Sequence, residues 1–218
     1  EFRRVLFRST KEKNFKDLKK FSFIICWIAG ICTVCLLCLY QPFMELWVGK
    51  ELMLSFYAVI CFSIYFFIRQ LNGLLNLYKD ASGIWHEDRY RPLIAALTNL
   101  ILNIILVRII GIYGILLSTV IAVLIVGIPW LLHNLFTYVF ERDCLALYLK
   151  KIVGYVVVIT ISCVVTYYIC SQIVLPIILN LVVRAIICCI LPNFIYYMVY
   201  HNCDEFQQAV MLLKKLKK

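Results

Sequence analysis

Charged side chains are missing from long stretches of this sequence. The segments Phe21–Tyr40, Leu93–Val107 and Ile112–Phe136 contain no Asp, Glu, Lys or Arg. Of the 218 residues, 64% are hydrophobic, whereas soluble domains are closer to half apolar. Such runs would aggregate in water, but a bilayer accommodates them as helices. The sequence therefore excludes a soluble globular domain and predicts an all-α polytopic membrane protein.

Six apolar segments are separated by short polar connections, and we expect them to form one bundle over residues 21–200. The predicted spans are 21–40, 52–77, 92–110, 112–138, 152–172 and 175–200. Residues 10–20 and 201–218 are basic and amphipathic, as expected for segments at a membrane surface. Residues 1–9 resemble a cloning-derived leader and lack an initiator Met. We therefore expect the natural chain to continue upstream of this fragment.

Acidic residues are scarce, with 12 Asp and Glu against 22 Lys and Arg. If the N-terminal side is cytoplasmic, eight basic residues precede the first span, three lie in each of two inner loops, and four lie in the tail. That places 18 of the 22 on one side, which satisfies the positive-inside rule. The excess of positive charge is thus a topology signal with both termini cytoplasmic. It removes most of the case for a nucleic-acid partner.

No Asp or Glu lies in the middle of a predicted span. An exporter of cationic drugs would be expected to bury carboxylates for its cargo and coupling ion. The deep charges are arginines instead, and Arg184 lies about nine residues into the sixth span, roughly 13 Å deep. A guanidinium at that depth favours an anionic cargo such as a pyrophosphate. The alternative is an arginine satisfied by helix carbonyls or Asn side chains.

Polar residues recur on shared helical faces and are the other candidates for lining a cargo cavity. Arg69 could contact cargo or extend to lipid phosphates, and His133 has the pattern of an interfacial residue. The Asn side chains could line a wet cavity or form hydrogen bonds between helices. The loop charges Glu87, Asp88, Arg89 and Arg91 are typical of a solvated loop. The candidate cargo-binding residues are Arg184, Arg69, Asn72, Asn76, Asn99, Asn103 and Asn180.

Eleven cysteines are present, and most lie within apolar runs, where Cys behaves as a small hydrophobe. Cys32, Cys35 and Cys38 have a spacing seen in iron–sulfur ligation. In a membrane helix that spacing rotates around one side, with no second ligand cluster nearby. We therefore predict no metal and no cofactor.

The segment Tyr78–Ala122 carries a recognisable pattern: D-A-S-G-x-W-x-x-D-R-Y-R-P, then N-L-x-L-N-I-x-L-V, then G-I-Y-G-I-L-L-S-T. An outer-loop motif, F-x-x-L-W-x-G, begins at Phe43. Together they resemble the second half of a polysaccharide (O-antigen or capsule type) oligosaccharide-lipid flippase. This family belongs to the multidrug/oligosaccharidyl-lipid/polysaccharide exporter superfamily. The similarity is densest over Tyr78–Ala122 and weakens after Phe140.

The resemblance implies a transporter of about twelve spans in two six-helix bundles, of which this chain is the C-terminal half. Its partners would be the missing N-terminal half, membrane lipids and an undecaprenyl-pyrophosphate-linked oligosaccharide. It would move that lipid from the inner to the outer leaflet of a bacterial cytoplasmic membrane and would not be an enzyme. The alternatives are a multidrug exporter of the same superfamily, a membrane-embedded oligosaccharide polymerase and a structural partner subunit. The short outer loops disfavour the polymerase.

Overall fold

The computed structural model describes residues 10–216, and all of the regular structure in that range is helical. Six of the helices are long and apolar enough to cross a membrane. This confirms the predicted all-α, multi-pass membrane fold. The helices are α1 (Lys11–Trp47), α2 (Phe56–Ser82), α3 (Arg91–Ile110), α4 (Ile112–Val139), α5 (Cys144–Ser171), α6 (Ile177–Tyr200) and α7 (Asp204–Leu216). The predicted leader 1–9 lies outside the described residues.

Helix α1 is longer at both ends than the apolar run that predicts it. The basic segment 10–20 is continuous with the first span, and the helix continues past Pro42 to Trp47. Much of the predicted outer loop 41–52 is therefore helical, followed by one 3₁₀ turn at Lys50–Leu52. Pro42 has no N–H, so the carbonyl of Cys38, four residues earlier, has no helical donor.

The chain divides into two compact units. The first unit contains residues up to Ile25 together with Ile68–Ile152, and the second contains Cys26–Phe67 and the residues from Val153 onward. Helices α1, α2 and α5 contribute residues to both units, whereas α3 and α4 belong wholly to the first and α6 and α7 to the second.

Within the first unit, α3 and α4 form a hairpin that depends on two glycines. Gly111 forms the turn with φ +61°, a left-handed conformation that favours glycine. Gly114 allows backbone to approach backbone, because a Cβ there would lie 2.4 Å from the carbonyl carbon of Leu106. Small residues commonly permit such close packing in membrane helices. Each glycine of the segment G-I-Y-G, Gly111 and Gly114, thus has a separate physical role.

An aromatic cluster fills the core of the first unit. Phe15 of α1 lies 6.1 Å from Phe136 and 6.0 Å from Phe140, ring centre to ring centre. Tyr78 lies 6.1 Å from Phe140, and Tyr148 lies 5.6 Å from Phe136. Edge-on and tilted rings at these distances add to the stability gained from burial. The amphipathic start of α1 is therefore anchored by its aromatic face.

The core of the second unit joins α1, α6 and α7 around Trp27. The indole Nε1 of Trp27 donates to Asn193 Oδ1 at 3.0 Å, and its ring stacks on Tyr196 at 6.2 Å. Phe206 of α7 packs on Trp27 at 5.6 Å and on Tyr197 at 5.9 Å. The amphipathic tail thus docks on the second unit through Phe206.

Candidate functional site

The loop that connects α2 and α3 is organised by a buried ion-pair network. Asp88 is 3% exposed and accepts two hydrogen bonds from Arg91, Nε to Oδ1 at 2.7 Å and Nη2 to Oδ2 at 2.8 Å. Lys79 Nζ lies 3.2 Å from Asp88 Oδ2 and 2.8 Å from Asp80 Oδ1. The interpretation of the loop charges as solvated is therefore wrong for Asp88 and Arg91, and Lys79 is buried beside them. Two cations offset the desolvation cost of one buried carboxylate.

The network also fixes the direction of the loop. Arg91 Nη2 donates to Asn76 Oδ1 at 2.8 Å, which links the start of α3 to α2. The ammonium of Lys79 lies 4.3 Å from the ring centre of Trp85, close enough for a cation–π interaction. Gly83, with φ +72°, turns the chain immediately after α2. The segment His86–Tyr90 is consequently held in one position beside α4.

A cleft of about 670 Å³ lies between His86–Tyr90 and the C-terminal half of α4. It combines aromatic rings, two imidazoles, one guanidinium and one carboxylate. Its lining residues, which define the loop–α4 cleft, are His86, Glu87, Arg89, Tyr90, Ile94, Ile125, Val126, Pro129, Trp130, His133, Asn134 and Tyr138. A binding site with a largely apolar wall and a few convergent polar groups has this composition.

Asn134 is the most informative residue of the loop–α4 cleft. Its side chain is 4% exposed, and its amide Nδ2 has no hydrogen-bond partner within the described part of the chain. A buried amide without a partner costs about 1–3 kcal/mol. An orphaned donor in the wall of a cleft is available to water or to a bound group.

Arg89 is held in place before any ligand arrives. Its Nη1 lies 2.8 Å from His86 Nε2, and its guanidinium carbon lies 4.6 Å from the ring centre of Tyr90. Guanidinium groups only donate, so the imidazole Nε2 accepts. Trp130 Nε1 donates to the backbone carbonyl of Glu87 at 3.4 Å and so connects the loop to α4. The cleft can offer a fixed guanidinium to phosphate oxygens and flat aromatic surfaces to a sugar ring.

Helix α4 departs from α-helical geometry at two places along the loop–α4 cleft. Residues Val123–Gly127 and Leu135–Val139 are π-helical. Single π turns within α-helices frequently occur at functional sites. Pro129 follows the first of them and lies in the cleft wall. Each π turn adds a residue and rotates the side chains that follow.

Arg184, the leading candidate from the sequence, lies in the second unit. It is partly buried, and its Nη1 donates to the backbone carbonyl of Cys38 at 3.5 Å, while its Nε has no partner within the described residues. That carbonyl is the one that Pro42 leaves without a helical donor. Asn180, one turn earlier on α6, donates through Nδ2 to the carbonyl of Ile173 at 3.4 Å. Leu181 and Ala185 beside them line an apolar groove of about 860 Å³.

Three candidates from the sequence lie on α2 in the first unit, and their surroundings differ. Arg69 is exposed. Asn72 is 6% exposed, and its Oδ1 is unpartnered within the described chain. Asn76 donates through Nδ2 to the carbonyl of Asn72 at 2.8 Å and accepts from Arg91. Asn76 therefore helps to position Arg91 in the ion-pair network.

Asn99 and Asn103 join α3 to α4. Asn103 Nδ2 donates to Asn99 Oδ1 at 3.1 Å, and Ser118 Oγ donates to Asn103 Oδ1. Asn99 Nδ2 lies 3.5 Å from Thr119 Oγ1. Of the two interpretations of these residues, the geometry shows interhelical hydrogen bonding.

Sequence reasoning missed most of the loop–α4 cleft. It treated His133 as an interfacial residue and gave no role to Arg89, Trp130 or Asn134. The signal that could have identified the cleft is the local composition. Polar and aromatic residues, which lipid does not require, are concentrated in H-E-D-R-Y before one span and in P-W-L-L-H-N late in the next.

No family model matches the chain, and a comparison with curated proteins finds no match. Among solved structures, the chain is similar to "Lipid II flippase MurJ, inward closed conformation", with a TM-score of 0.67 and 16% sequence identity. The match covers 93% of this chain and 43% of that chain, so this chain spans less than half of the flippase's length. Over nearly its whole length, the chain thus has a fold similar to part of a lipid flippase.

Proposed function

We propose that this chain is the C-terminal six-helix half of a flippase for undecaprenyl-pyrophosphate-linked oligosaccharides. In this proposal the complete protein moves its cargo from the inner to the outer leaflet of a bacterial cytoplasmic membrane, for O-antigen or capsule biosynthesis. The observation that carries the proposal is the fold likeness, which extends over 93% of the chain to 43% of a lipid flippase. A six-helix piece of a longer transporter fits these proportions, and pairs of bundles rocking about a site are a general solution for alternating access.

The distribution of charge supports an anionic cargo. The arginines well inside the spans, Arg69 and Arg184, are the deep charges, and no Asp or Glu lies in mid-span. A carboxylate-poor membrane interior disfavours a cationic drug as cargo. The two arginines stay candidates for the cargo path. Arg184 also donates a hydrogen bond to the backbone carbonyl of Cys38 in the second unit.

We further propose that the loop–α4 cleft receives the pyrophosphate–sugar headgroup. By the positive-inside rule the loop 79–91 faces the cytoplasm, which is the side where the lipid-linked sugar is available. Arg89 would pair with phosphate oxygens, Trp130 would stack on a sugar ring, and Asn134 Nδ2 would donate to the bound group. Each role uses a side chain that lines the cleft.

The test is export of surface polysaccharide in a bacterial strain that lacks its own flippase. The complete gene to which this chain belongs should restore export, whereas residues 1–218 alone should insert into the membrane without restoring it. Surface glycan is compared with membrane protein level, each by immunoblot. Drug resistance without sugar export from the complete gene would favour the multidrug exporter and reject the flippase. Full export from residues 1–218 alone would reject the two-bundle account.

A further inference from the structure

Three cysteines from three helices converge in the second unit. Cys38 of α1, Cys170 of α5 and Cys188 of α6 are 1%, 1% and 0% exposed, and their Sγ atoms all lie within 4.8 Å of one another. We call these three residues the thiol cluster. Of the three cysteines in the C-x-x-C-x-x-C spacing of α1, Cys38 belongs to the converging set, whereas Cys35 packs against it.

The distances suit a shared metal ion. With metal–sulfur bonds of about 2.3 Å, ligand sulfurs around one ion lie roughly 4 Å apart. A contraction of less than about 1 Å would therefore close the thiol cluster around an ion, within the reach of side-chain rotation. Apolar and thiol side chains pack around it, including Leu39, Ile187 and Cys35. A dry shell of this kind protects thiolate ligands from competing water.

A cation stands beside the thiol cluster. Arg184 is four residues before Cys188 on α6, and its Nη1 reaches the carbonyl of Cys38 at 3.5 Å. Its Nε is buried and has no partner within the described residues. Thiolates bound to a metal leave a net negative charge in a low-dielectric region, where a nearby guanidinium is stabilising. Arg184 therefore contacts the backbone of one ligand, Cys38, and lies one helical turn from another, Cys188.

We propose that the thiol cluster binds a thiophilic metal ion, Cu(I), through Cys38, Cys170 and Cys188. Soft thiolates select Cu(I) or zinc, and structural zinc sites almost always have four ligands. In the described part of the chain, no His, Asp or Glu joins the three sulfurs, and the neighbouring thiols of Cys35 and Cys163 lie outside the group whose sulfurs converge within 4.8 Å. On binding, the thiols release protons and three sulfur–copper bonds replace the S–H bonds.

The test uses the whole chain, purified in detergent, reduced and kept without oxygen. Cu(I) is titrated in competition with a chromogenic Cu(I) chelator, and the sulfur coordination is read by X-ray absorption. We expect about one Cu(I) per chain, with a sulfur-only environment. Failure of the wild-type chain to compete for Cu(I) would overturn the proposal, as would retention of zinc in place of Cu(I).

Cys188 and Cys189 provide a matched pair, because they are adjacent in sequence but 0% exposed and exposed, respectively. Cys188→Ala should weaken Cu(I) binding by at least about tenfold, whereas Cys189→Ala should leave it unchanged. Equal affinities in the two variants would reject the site. Cys38→Ala and Cys170→Ala repeat the test from the other helices, and monodisperse elution identifies variants that remain folded.

Arg184→Leu tests the charge contribution separately. It should weaken Cu(I) binding by about tenfold, because the anionic site loses its nearest cation. Unchanged affinity would reject the role of Arg184 in the site. Metal retention is measured independently of sugar export, so this proposal and the flippase proposal can fail separately.

Discussion

Asp88 and Arg91 form a two-point ion pair in which the carboxylate is 3% exposed and the two hydrogen bonds measure 2.7 and 2.8 Å. The pair lies at the start of α3, where the loop enters the helix. Bidentate geometry of this kind fixes both position and angle. The placement of His86–Tyr90, and with it one wall of the loop–α4 cleft, follows from this pair.

Asp88→Ala should destabilise the protein by about 3–5 kcal/mol, because it leaves the buried Lys79 and the partly buried Arg91 without their shared carboxylate. The measurement is the apparent Tm of the purified chain in detergent, together with membrane yield. Glu87→Ala is the matched control, because its side chain belongs to the cleft wall and the ion-pair network does not include it. A Tm for Asp88→Ala equal to that of Glu87→Ala would show that the pair contributes nothing net.

Gly114→Ala should destabilise the α3–α4 hairpin by about 1–3 kcal/mol, because the new Cβ would displace the backbone at Leu106. Gly73→Ala on α2 is the control, because a Cβ there meets nothing within 4 Å. Alanine is the better helix former, so Gly73→Ala should be neutral or slightly stabilising. Comparison of the two apparent Tm values separates steric cost from helix propensity, and equal Tm changes would disprove the close approach.

Arg89→Gln in the complete protein should reduce sugar export by about tenfold or more, because the cleft loses its charged phosphate donor. Arg142→Gln removes an equally exposed positive charge from the next predicted inner loop and should leave export unchanged. Surface glycan is measured relative to protein level for each variant. Similar export by both variants would remove Arg89 from the cargo path.

Arg184→Lys and Arg184→Leu distinguish a cargo contact from a structural one. If Arg184 contacts pyrophosphate, Lys should keep part of the export and Leu should abolish it at normal protein level, because a point charge still attracts phosphate. If the role of Arg184 is instead to donate a hydrogen bond to the backbone carbonyl of Cys38, both variants should lower the amount of protein in the membrane. Normal export by Arg184→Leu would end its assignment to the cargo path.

Cys144 and Cys203 should react with membrane-impermeant thiol reagents only from the cytoplasmic side, because they lie in the predicted inner loop 140–151 and in the predicted inner tail, respectively. Lys50→Cys should be labelled from outside intact cells, because Lys50 is an exposed residue of the predicted outer loop. Mass shifts after labelling of cells and of inverted vesicles provide the measurement. Labelling of Cys203 from outside would reverse the orientation.

The sequence predicted the all-α, six-helix fold because lipid imposes long uncharged runs, and such runs are visible directly. It did not predict the ion-pair network, since Lys79, Asp88 and Arg91 have the composition of a polar loop and only tertiary packing buries them. The loop–α4 cleft depends on residues about forty positions apart and on two π-helical turns in α4. An uninterrupted helical wheel would assign Trp130 and His133 to the wrong face. Arg184 and Asn180 are candidates from the sequence, but the contact of Arg184 with Cys38 depends on a neighbouring helix that the sequence does not identify.

Helix α3 has no fully buried residue within the described chain. Where lipid covers its apolar side chains, exchanging Leu, Ile or Val changes little free energy. Selection then preserves mainly the apolar character of the α3 side chains, and the identities of the individual residues can change extensively. The exceptions are Asn99 and Asn103, whose hydrogen bonds to α4 need amides. In diverged relatives, we therefore expect Asn at these two positions even where the rest of α3 is no longer similar in sequence. These two residues would then mark how α3 aligns with α4 in the hairpin.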